Sequence, residues 1–232
     1  VAGEGAGRRR GQVVAAGEDG RPGIDRRDRR AQLVRDDPHE GLVDRANVQP
    51  GMKVLVQGGT GGVGHVAVQL AKARGAHVYA TDRPERDSEL MALGAIPVDR
   101  NMSVEEYVAL HTGGEGFDIV YDTVGGAVLD DSFRAVRRFG HVVSALGWGT
   151  HALAPLSFRA ATYSGVFTLL PLLTGAGRTH HGDILREATR LAEAGALVPR
   201  MSPHRFDLES VAEAHALVGT PAAGGRVVVD VA

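Results

Sequence analysis

The pattern of apolar and polar residues changes abruptly along the chain. Residues 1–38 are rich in Gly, Arg and Asp and follow neither the two-residue period of a strand nor the 3.6-residue period of a helix. From Gly51 onward, short apolar runs alternate with stretches that carry apolar residues at helical spacing. We therefore expect an irregular or disordered segment over 1–38, followed by a regularly folded region.

The alternating pattern after Gly51 predicts a series of strands separated by helices. Strands are predicted at Val54–Val56, His77–Thr81, Ile96–Val98, Phe117–Tyr121, His141–Ala145 and Tyr163–Leu170. The intervening helices include one that begins at the capping box Ser103–Glu106 and one over Val128–Arg138. The tail predicts helices at Asp183–Ala194 and Leu208–Val218, and a last strand at Arg226–Val231. This order predicts an α/β fold with a doubly wound parallel sheet of Rossmann type.

Composition and charge narrow the class of protein. The chain has no cysteine, which excludes disulfides, thiol nucleophiles and thiolate metal sites, and fits a cytoplasmic location. A formal charge of −2 argues against a nucleic-acid partner, and no apolar run reaches membrane-spanning length. The adjacent His180 and His181 lack a neighbouring carboxylate cluster in the sequence, so we expect no metal site.

A glycine cluster after the first strand carries the candidate chemistry. The stretch from Gly59 to Gly64 (GTGGVG) fits the dinucleotide-binding pattern G-x-G-x-x-G, between a predicted strand and a predicted helix. Gly59 would permit the tight turn, Gly61 the approach of backbone to a pyrophosphate, and Gly64 close packing of helix on strand. A free helix N-terminus would then face the phosphates. This context favours dinucleotide binding over a purely structural turn.

The end of the second strand bears on which dinucleotide is bound. Asp82 stands where an acid accepts hydrogen bonds from both adenine ribose hydroxyls and repels a 2′-phosphate, which favours NAD. Arg83, Arg86 and Arg100 favour NADP instead, because guanidinium pairs well with phosphate. The residues alone leave NAD and NADP both open.

From about Glu40 to its end, the sequence resembles the medium-chain dehydrogenase/reductase superfamily, in its zinc-free quinone oxidoreductase branch. The resemblance rests on Val54–Lys72, on Phe117–Gly126 (FDIVYDTVGG), on Gly140–Gly147, on Ser164–Leu170 and on Phe206–His215 with Gly225–Val228. It implies an NAD(P)H-dependent oxidoreductase that transfers hydride to a quinone or a similar conjugated carbonyl, with a slight preference for NADP. No short-chain dehydrogenase signature, Tyr-x-x-x-Lys, competes with this interpretation.

The resemblance also implies which residues would contact the cofactor. The motif and the resemblance together nominate Gly59, Thr60, Gly61, Gly62, Val63, Gly64, Asp82, Arg83, Arg100, Gly125, Ala145, Leu146, Gly147, Trp148, Val166, Phe167 and Thr168. No catalytic residue can be named, because the family builds most of its substrate pocket in an N-terminal GroES-like domain that residues 1–38 do not resemble. The region Tyr163–Leu173 matches the part of the family that pairs across a homodimer.

The expected domain organisation follows from this resemblance. Residues 1–38 match no part of the family, residues 39–178 form the Rossmann domain, and residues 179–232 form C-terminal helices and a last strand that would normally join the GroES-like domain. A frame error, a truncation or a genuine tail could each give the segment 1–38. The alternative function is therefore a truncated, non-catalytic dinucleotide-binding remnant, and we expect the chain as written to be an incomplete enzyme.

Overall fold

A computed structural model describes residues 38–231, and most of the predicted segment 1–38 lies outside them. Six parallel strands form one sheet in the order β3-β2-β1-β4-β5-β6. Their bounds are β1 Lys53–Gln57, β2 His77–Asp82, β3 Ile96–Asp99, β4 Phe117–Asp122, β5 Val136–Ser144 and β6 Thr162–Gly165. This arrangement confirms the predicted doubly wound Rossmann sheet, with the switch in strand order lying between β1 and β4.

Helices connect the strands and cover the sheet. They are α1 Gly64–Ala73, α2 Asp87–Leu93, α3 Val104–Thr112, α4 Ala127–Ala135, α5 Ala154–Arg159, α6 Leu169–Thr174 and α7 Arg178–Glu193. One apolar cluster joins α1 and α2 to the sheet, and another joins α3 and α4 to it. The predicted capping box of α3 is complete, because Ser103 and Glu106 each accept a hydrogen bond from the other's backbone N–H.

A single π-helical turn, Glu40–Arg45, precedes β1. The N–H of Ala46 donates to the carbonyl of Gly41, five residues earlier, at 3.0 Å. A β-carbon on Gly41 would lie 2.4 Å from the Tyr121 ring, so only glycine fits there without a shift. The close contact seats this turn on the sheet and buries Leu42 completely.

Two predicted elements have different bounds in the structure. The sixth strand was predicted over Tyr163–Leu170, but it ends at Gly165, and the apolar run beyond it forms α6. The helix predicted over Val128–Arg138 ends at Ala135, because Val136 pairs with Phe117 and starts β5 there. The strand then bulges, and Phe139 adopts a φ of +59° before the ladder resumes at His141.

The C-terminal region also departs from the prediction. Helix α7 begins at Arg178, five residues before the predicted start at Asp183. Strand β7, Met201–Phe206, was not predicted, and it pairs in parallel with β8, Arg226–Val229. Helix α8 covers Val211–Val218, within the predicted range.

The described residues divide into two compact units, 38–199 and 200–231. Helix α7 belongs to the first unit, in which its Ala188 and Leu191 pack with Val66 and Leu70 of α1. The predicted C-terminal region, 179–232, therefore begins inside a helix of the first unit. No helix within residues 38–231 combines the length and apolar character needed to cross a membrane.

Candidate functional site

The glycine cluster connects β1 to α1 at the carboxyl edge of the sheet. The backbone N–H groups of Gly58 and Gly59 both donate to the carbonyl of Thr81, at 3.1 and 2.9 Å, which ties the loop to the end of β2. A β-carbon on Gly59 would lie 2.6 Å from that of Ala80, and one on Gly64 would lie 2.0 Å from the Gly58 carbonyl oxygen. Both glycines therefore permit a close fit within the protein itself.

The loop leaves some of its backbone donors available and uses others. The N–H of Thr60 donates to Asp82 at 2.9 Å, and the N–H of Gly61 donates to the Gly58 carbonyl at 3.1 Å. Within residues 38–231, no group accepts a hydrogen bond from the N–H of Gly62 or Val63. Two available donors at the start of a ten-residue helix fit the pyrophosphate of a dinucleotide.

Asp82 ends β2 beside this loop, and its carboxylate accepts three hydrogen bonds. Its Oδ2 accepts from the N–H of Thr60 and from Thr60 Oγ1 at 2.5 Å, and its Oδ1 accepts from the N–H of Arg83 at 2.8 Å. Burial acts to raise the pKa of Asp82, but these hydrogen bonds outweigh it and hold the pKa below its ordinary value. The side chain is therefore ionised at neutral pH.

The candidate arginines follow the paired ends of β2 and β3. Asp82 pairs with Asp99 in the ladder, so Arg83 and Arg100 both leave the sheet at the same edge. Arg86 is already bound to Glu89 through two hydrogen bonds of 2.8 and 3.0 Å. In the part of the chain that the structure describes, the exposed guanidinium groups of Arg83 and Arg100 have no such partner.

A buried carboxylate joins the two turns that follow β4 and β5. Asp122, fully buried at the end of β4, accepts hydrogen bonds from the N–H of Val124 at 3.1 Å and of Gly125 at 3.0 Å. Its Oδ2 accepts from Ser144 Oγ at 2.7 Å, and that hydroxyl oxygen accepts from the N–H of Leu146 at 3.0 Å. Asp122 and Ser144 were not predicted as site residues, although each is a polar residue that ends an apolar strand.

The same network brings predicted site residues together. A β-carbon on Gly125 would lie 2.6 Å from the carbonyl oxygen of Leu146, so the two turns are in backbone contact. On the other side, Thr123 Oγ1 donates to the Gln57 carbonyl at 2.6 Å, which joins the turn after β4 to the end of β1. The glycine loop, the Gly125 turn and the Leu146 turn are therefore contiguous along the edge.

An aromatic pair extends this edge beyond β5. The rings of Trp148 and Phe167 meet edge to face with centroids 5.9 Å apart, and the two residues are 65% and 45% exposed. Val166 and Thr168, on either side of Phe167, are buried. The pair offers an exposed apolar surface beside the turns, against which the flat ring of a ligand can pack.

His151, another residue that was not predicted, anchors the Trp148 segment. Its Nδ1 lies 2.9 Å from Asp130 Oδ1 on α4, and its ring meets Phe133 edge to face. Hydrogen bonding to Asp130 is the main cause that raises the pKa of His151 above its ordinary value. Neither partner is close to His151 in the sequence, so only the fold brings them together.

The histidine pair does not form part of this edge. His180 Nε2 lies 2.6 Å from Asp44 Oδ2, which places it by the π-helical turn before β1. Residues 38–231 contain no group of three or more His, Asp or Glu side chains arranged to hold a metal ion. The absence of a metal from the natural protein stays a prediction.

The sheet order, the glycine loop and its available N–H groups define a Rossmann-type domain. The family model described as "Zinc-binding dehydrogenase" matches residues 93–229, more than half of the chain. The chain belongs to this family, which confirms the resemblance to the medium-chain dehydrogenase/reductase superfamily.

Two solved structures are similar to this chain, one of them at high identity. An alcohol dehydrogenase superfamily protein from Novosphingobium aromaticivorans is 55% identical with a TM-score of 0.81, over 85% of this chain and 61% of that one. A quinone oxidoreductase from Pseudomonas syringae shares the fold at 24% identity and a TM-score of 0.68, over 86% and 62%.

Among curated proteins, the phenolphthiocerol synthesis polyketide synthase Pks15/1 of Mycobacterium marinum is 34% identical over 68% of this chain and 8% of its own length. The chain thus spans about three fifths of the two solved structures and a small fraction of the polyketide synthase.

Proposed function

We propose that the protein is an NAD(P)H-dependent oxidoreductase that reduces a quinone or another conjugated carbonyl. The observation that carries this proposal is the glycine loop at the edge of a Rossmann sheet, where the N–H groups of Gly62 and Val63 are available as donors. Membership of the zinc-binding dehydrogenase family supports the oxidoreductase class. The choice of a conjugated carbonyl rests on the resemblance of the sequence to quinone oxidoreductases.

The chain's own residues would bind and orient the cofactor, which supplies the hydride when bound. The N–H groups of Gly62 and Val63 would hold the pyrophosphate. Glycine at position 125 lets the turn after β4 lie directly against Leu146, whose carbonyl oxygen and β-carbon would clash with any larger residue there. Trp148 and Phe167 would exclude water from one side of the nicotinamide.

A preference for NADP(H) is part of the proposal. The exposed guanidinium groups of Arg83 and Arg100 stand at the edge where an adenine ribose would lie, and neither is engaged by another described residue. Guanidinium is the side chain best suited to hold a 2′-phosphate. Arg86 contributes less, because Glu89 already occupies it.

Titration of the purified chain with NADPH and NADH tests the binding part of this function. Trp148 is the single tryptophan and lies on the proposed cofactor path, so its fluorescence should fall as either nucleotide binds. Gly61→Val should weaken binding, because the branched side chain would occupy space beside the pyrophosphate. Gly182→Val, in α7, is the matched control and should bind as the unaltered chain does.

Two outcomes would count against the proposal. Unaltered protein that binds neither nucleotide would refute dinucleotide binding, and a folded Gly61→Val variant with full affinity would refute the role of the loop. Oxidation of NADPH with a benzoquinone or a simple enone, followed at 340 nm, tests turnover. Binding without any turnover would instead favour the non-catalytic alternative.

We further propose a homodimer through the region Tyr163–Leu173. Strand β6 is an edge strand of the sheet, and the neighbouring helix α6 exposes Leu169, Leu170, Leu172 and Leu173. Light scattering should give a dimer that Leu170→Asp dissociates, whereas Leu110→Asp on α3 leaves it intact. A monomer for the unaltered chain would refute this proposal.

A further inference from the structure

The side chain of Asp82 is bound to the glycine loop, which changes the role that its position suggests. Oxygen Oδ2 accepts two hydrogen bonds from Thr60, one from its N–H and one from its hydroxyl, and Oδ1 accepts one from the N–H of Arg83. A carboxylate oxygen has about two lone-pair sites for hydrogen bonds. Oδ2 is therefore saturated, and Oδ1 retains one site.

This occupancy leaves Asp82 too few acceptor sites to bind both hydroxyls of an adenine ribose, the role that the sequence suggested for it. Acceptance of a hydrogen bond from each ribose hydroxyl needs two available acceptor sites, and Asp82 retains one. Asp82 could offer such a pair only by releasing Thr60. The contact with Thr60 is therefore an alternative to ribose binding, and the two cannot both be complete.

The loop needs such a contact because its sequence is conformationally free. Gly58, Gly59, Gly61 and Gly62 have no side chains to restrict their backbone, so a large conformational entropy must be lost to hold one geometry. Between Gly58 and Gly62, Thr60 supplies the only side chain. Its two donors, both bound to Asp82, fix the middle of the loop to the end of β2.

We propose that Asp82 is a positioning residue, which holds the glycine loop ready for a pyrophosphate through Thr60 and does not select between NAD(H) and NADP(H). This inference rests on the proposed dinucleotide function. It assigns coenzyme selection to groups other than Asp82. It also assigns the phosphate contacts to Gly62 and Val63 rather than to Thr60, whose donors are used.

Four variants separate a loop-positioning role from a ribose-reading role. Thr60→Val removes the hydroxyl donor and leaves the charge of Asp82 in place, whereas Asp82→Asn removes the charge at nearly constant shape. Thr60→Ser keeps the donor and should restore the behaviour of the unaltered chain. Asp99→Asn is the matched control, because Asp99 ends the neighbouring strand and pairs with Asp82 in the ladder without contacting the loop.

Cofactor affinity is the first measurement. We expect Thr60→Val and Asp82→Asn each to weaken the binding of NADH and of NADPH by the same factor. That factor is about tenfold, as the loss of a hydrogen bond to a charged group implies. The double variant should bind each cofactor no more weakly than the weaker-binding single variant does, because both changes break the same contact between Thr60 and Asp82. Stronger NADPH binding with weaker NADH binding in Asp82→Asn would overturn the proposal. It would show instead that Asp82 binds the adenine ribose and selects the cofactor.

Amide hydrogen exchange of the cofactor-free protein is the second measurement. Exchange at Gly58–Gly61, whose amides are hydrogen-bonded, should accelerate in Thr60→Val and Asp82→Asn but not in Thr60→Ser or Asp99→Asn, with β1 and α1 unchanged. Unchanged exchange at the loop would overturn the proposal even if no nucleotide binds. Failure of the unaltered protein to bind either nucleotide would refute the proposed function instead, so the two failures are distinguishable.

Discussion

Replacement of Asp122 should lower the free energy of unfolding by more than the loss of one hydrogen bond would. The residue is fully buried, and its carboxylate accepts hydrogen bonds from the N–H of Val124, the N–H of Gly125 and the hydroxyl of Ser144. Asp122→Ala would leave all three donors without their acceptor and remove the connection between the turns after β4 and β5. Asp122→Asn would keep one oxygen and present an amide where the second oxygen stood.

The expected magnitudes follow from the number of donors left unpaired. A buried donor without a partner costs on the order of 1–3 kcal/mol, and water admitted to the gap recovers part of this. Asp122→Ala should therefore lower the free energy of unfolding by about 3–5 kcal/mol, which is a large share of the stability of an ordinary domain. Asp122→Asn should cost about 1 kcal/mol, because the N–H groups of Val124 and Gly125 keep an acceptor.

Urea unfolding followed by far-ultraviolet circular dichroism measures both differences. The controls are Glu115→Ala and Glu115→Gln, which remove an exposed carboxylate in the same unit and should change the free energy by less than about 0.5 kcal/mol. If Asp122→Ala proves no more destabilising than Glu115→Ala, the network does not hold the two turns and the reasoning fails. Equal losses for Asp122→Ala and Asp122→Asn would show instead that charge, rather than acceptor count, matters.

Three further predictions concern the loop, a buried phenol and metal content. Gly64→Ala should lower the free energy of unfolding by roughly 1–3 kcal/mol and weaken cofactor binding, because its β-carbon would press on the Gly58 carbonyl, whereas Gly182→Ala should do neither. Burial raises the pKa of Tyr107 to about 12, above its value in the unfolded chain. The neutral phenol therefore contributes its full stabilisation below pH 10, and the free energy of unfolding falls as the pH rises to 12. The loss, roughly 2–3 kcal/mol by denaturation at several pH values, should disappear in Tyr107→Phe; an unaltered pH profile in that variant would contradict the assignment. Elemental analysis after chelator treatment should find zinc well below one atom per chain, and a stoichiometric amount would contradict the prediction of no metal.

The sequence predicted those elements whose signals are local. The glycine motif lies between a strand and a helix as expected, and the capping box at Ser103 and Glu106 forms in full, because both patterns act within a few residues. Each strand of the parallel sheet was also predicted, since buried strands are short apolar runs between turn residues. The order of the strands in the sheet was not predicted, because right-handed crossovers alone are compatible with several orders.

Pairing between distant residues determines those elements that the sequence did not predict correctly. The stretch from Val128 to Arg138 carries apolar residues at spacings that suit a helix throughout, and only the pairing of Val136 with Phe117 ends the helix at Ala135. Strand β7 (MSPHRF) was missed because it has no apolar run and contains a proline, so that only its pairing with β8 makes it a strand. Neither contact leaves a signal within the window over which periodicity is read.

The two carboxylates at the ends of β2 and β4 illustrate a limit on reading function from position. Asp82 and Asp122 both stand at the carboxyl edge of a Rossmann sheet, where an acid invites assignment to a ligand. In the structure, both carboxylates instead accept hydrogen bonds from the loops beside them. The groups available to a ligand at this edge include the backbone N–H donors of Gly62 and Val63 and the guanidinium groups of Arg83 and Arg100. These four groups are donors or cations, which is the chemistry that an anionic phosphate requires, while Asp82 and Asp122 use most of their acceptor sites to hold the neighbouring loops.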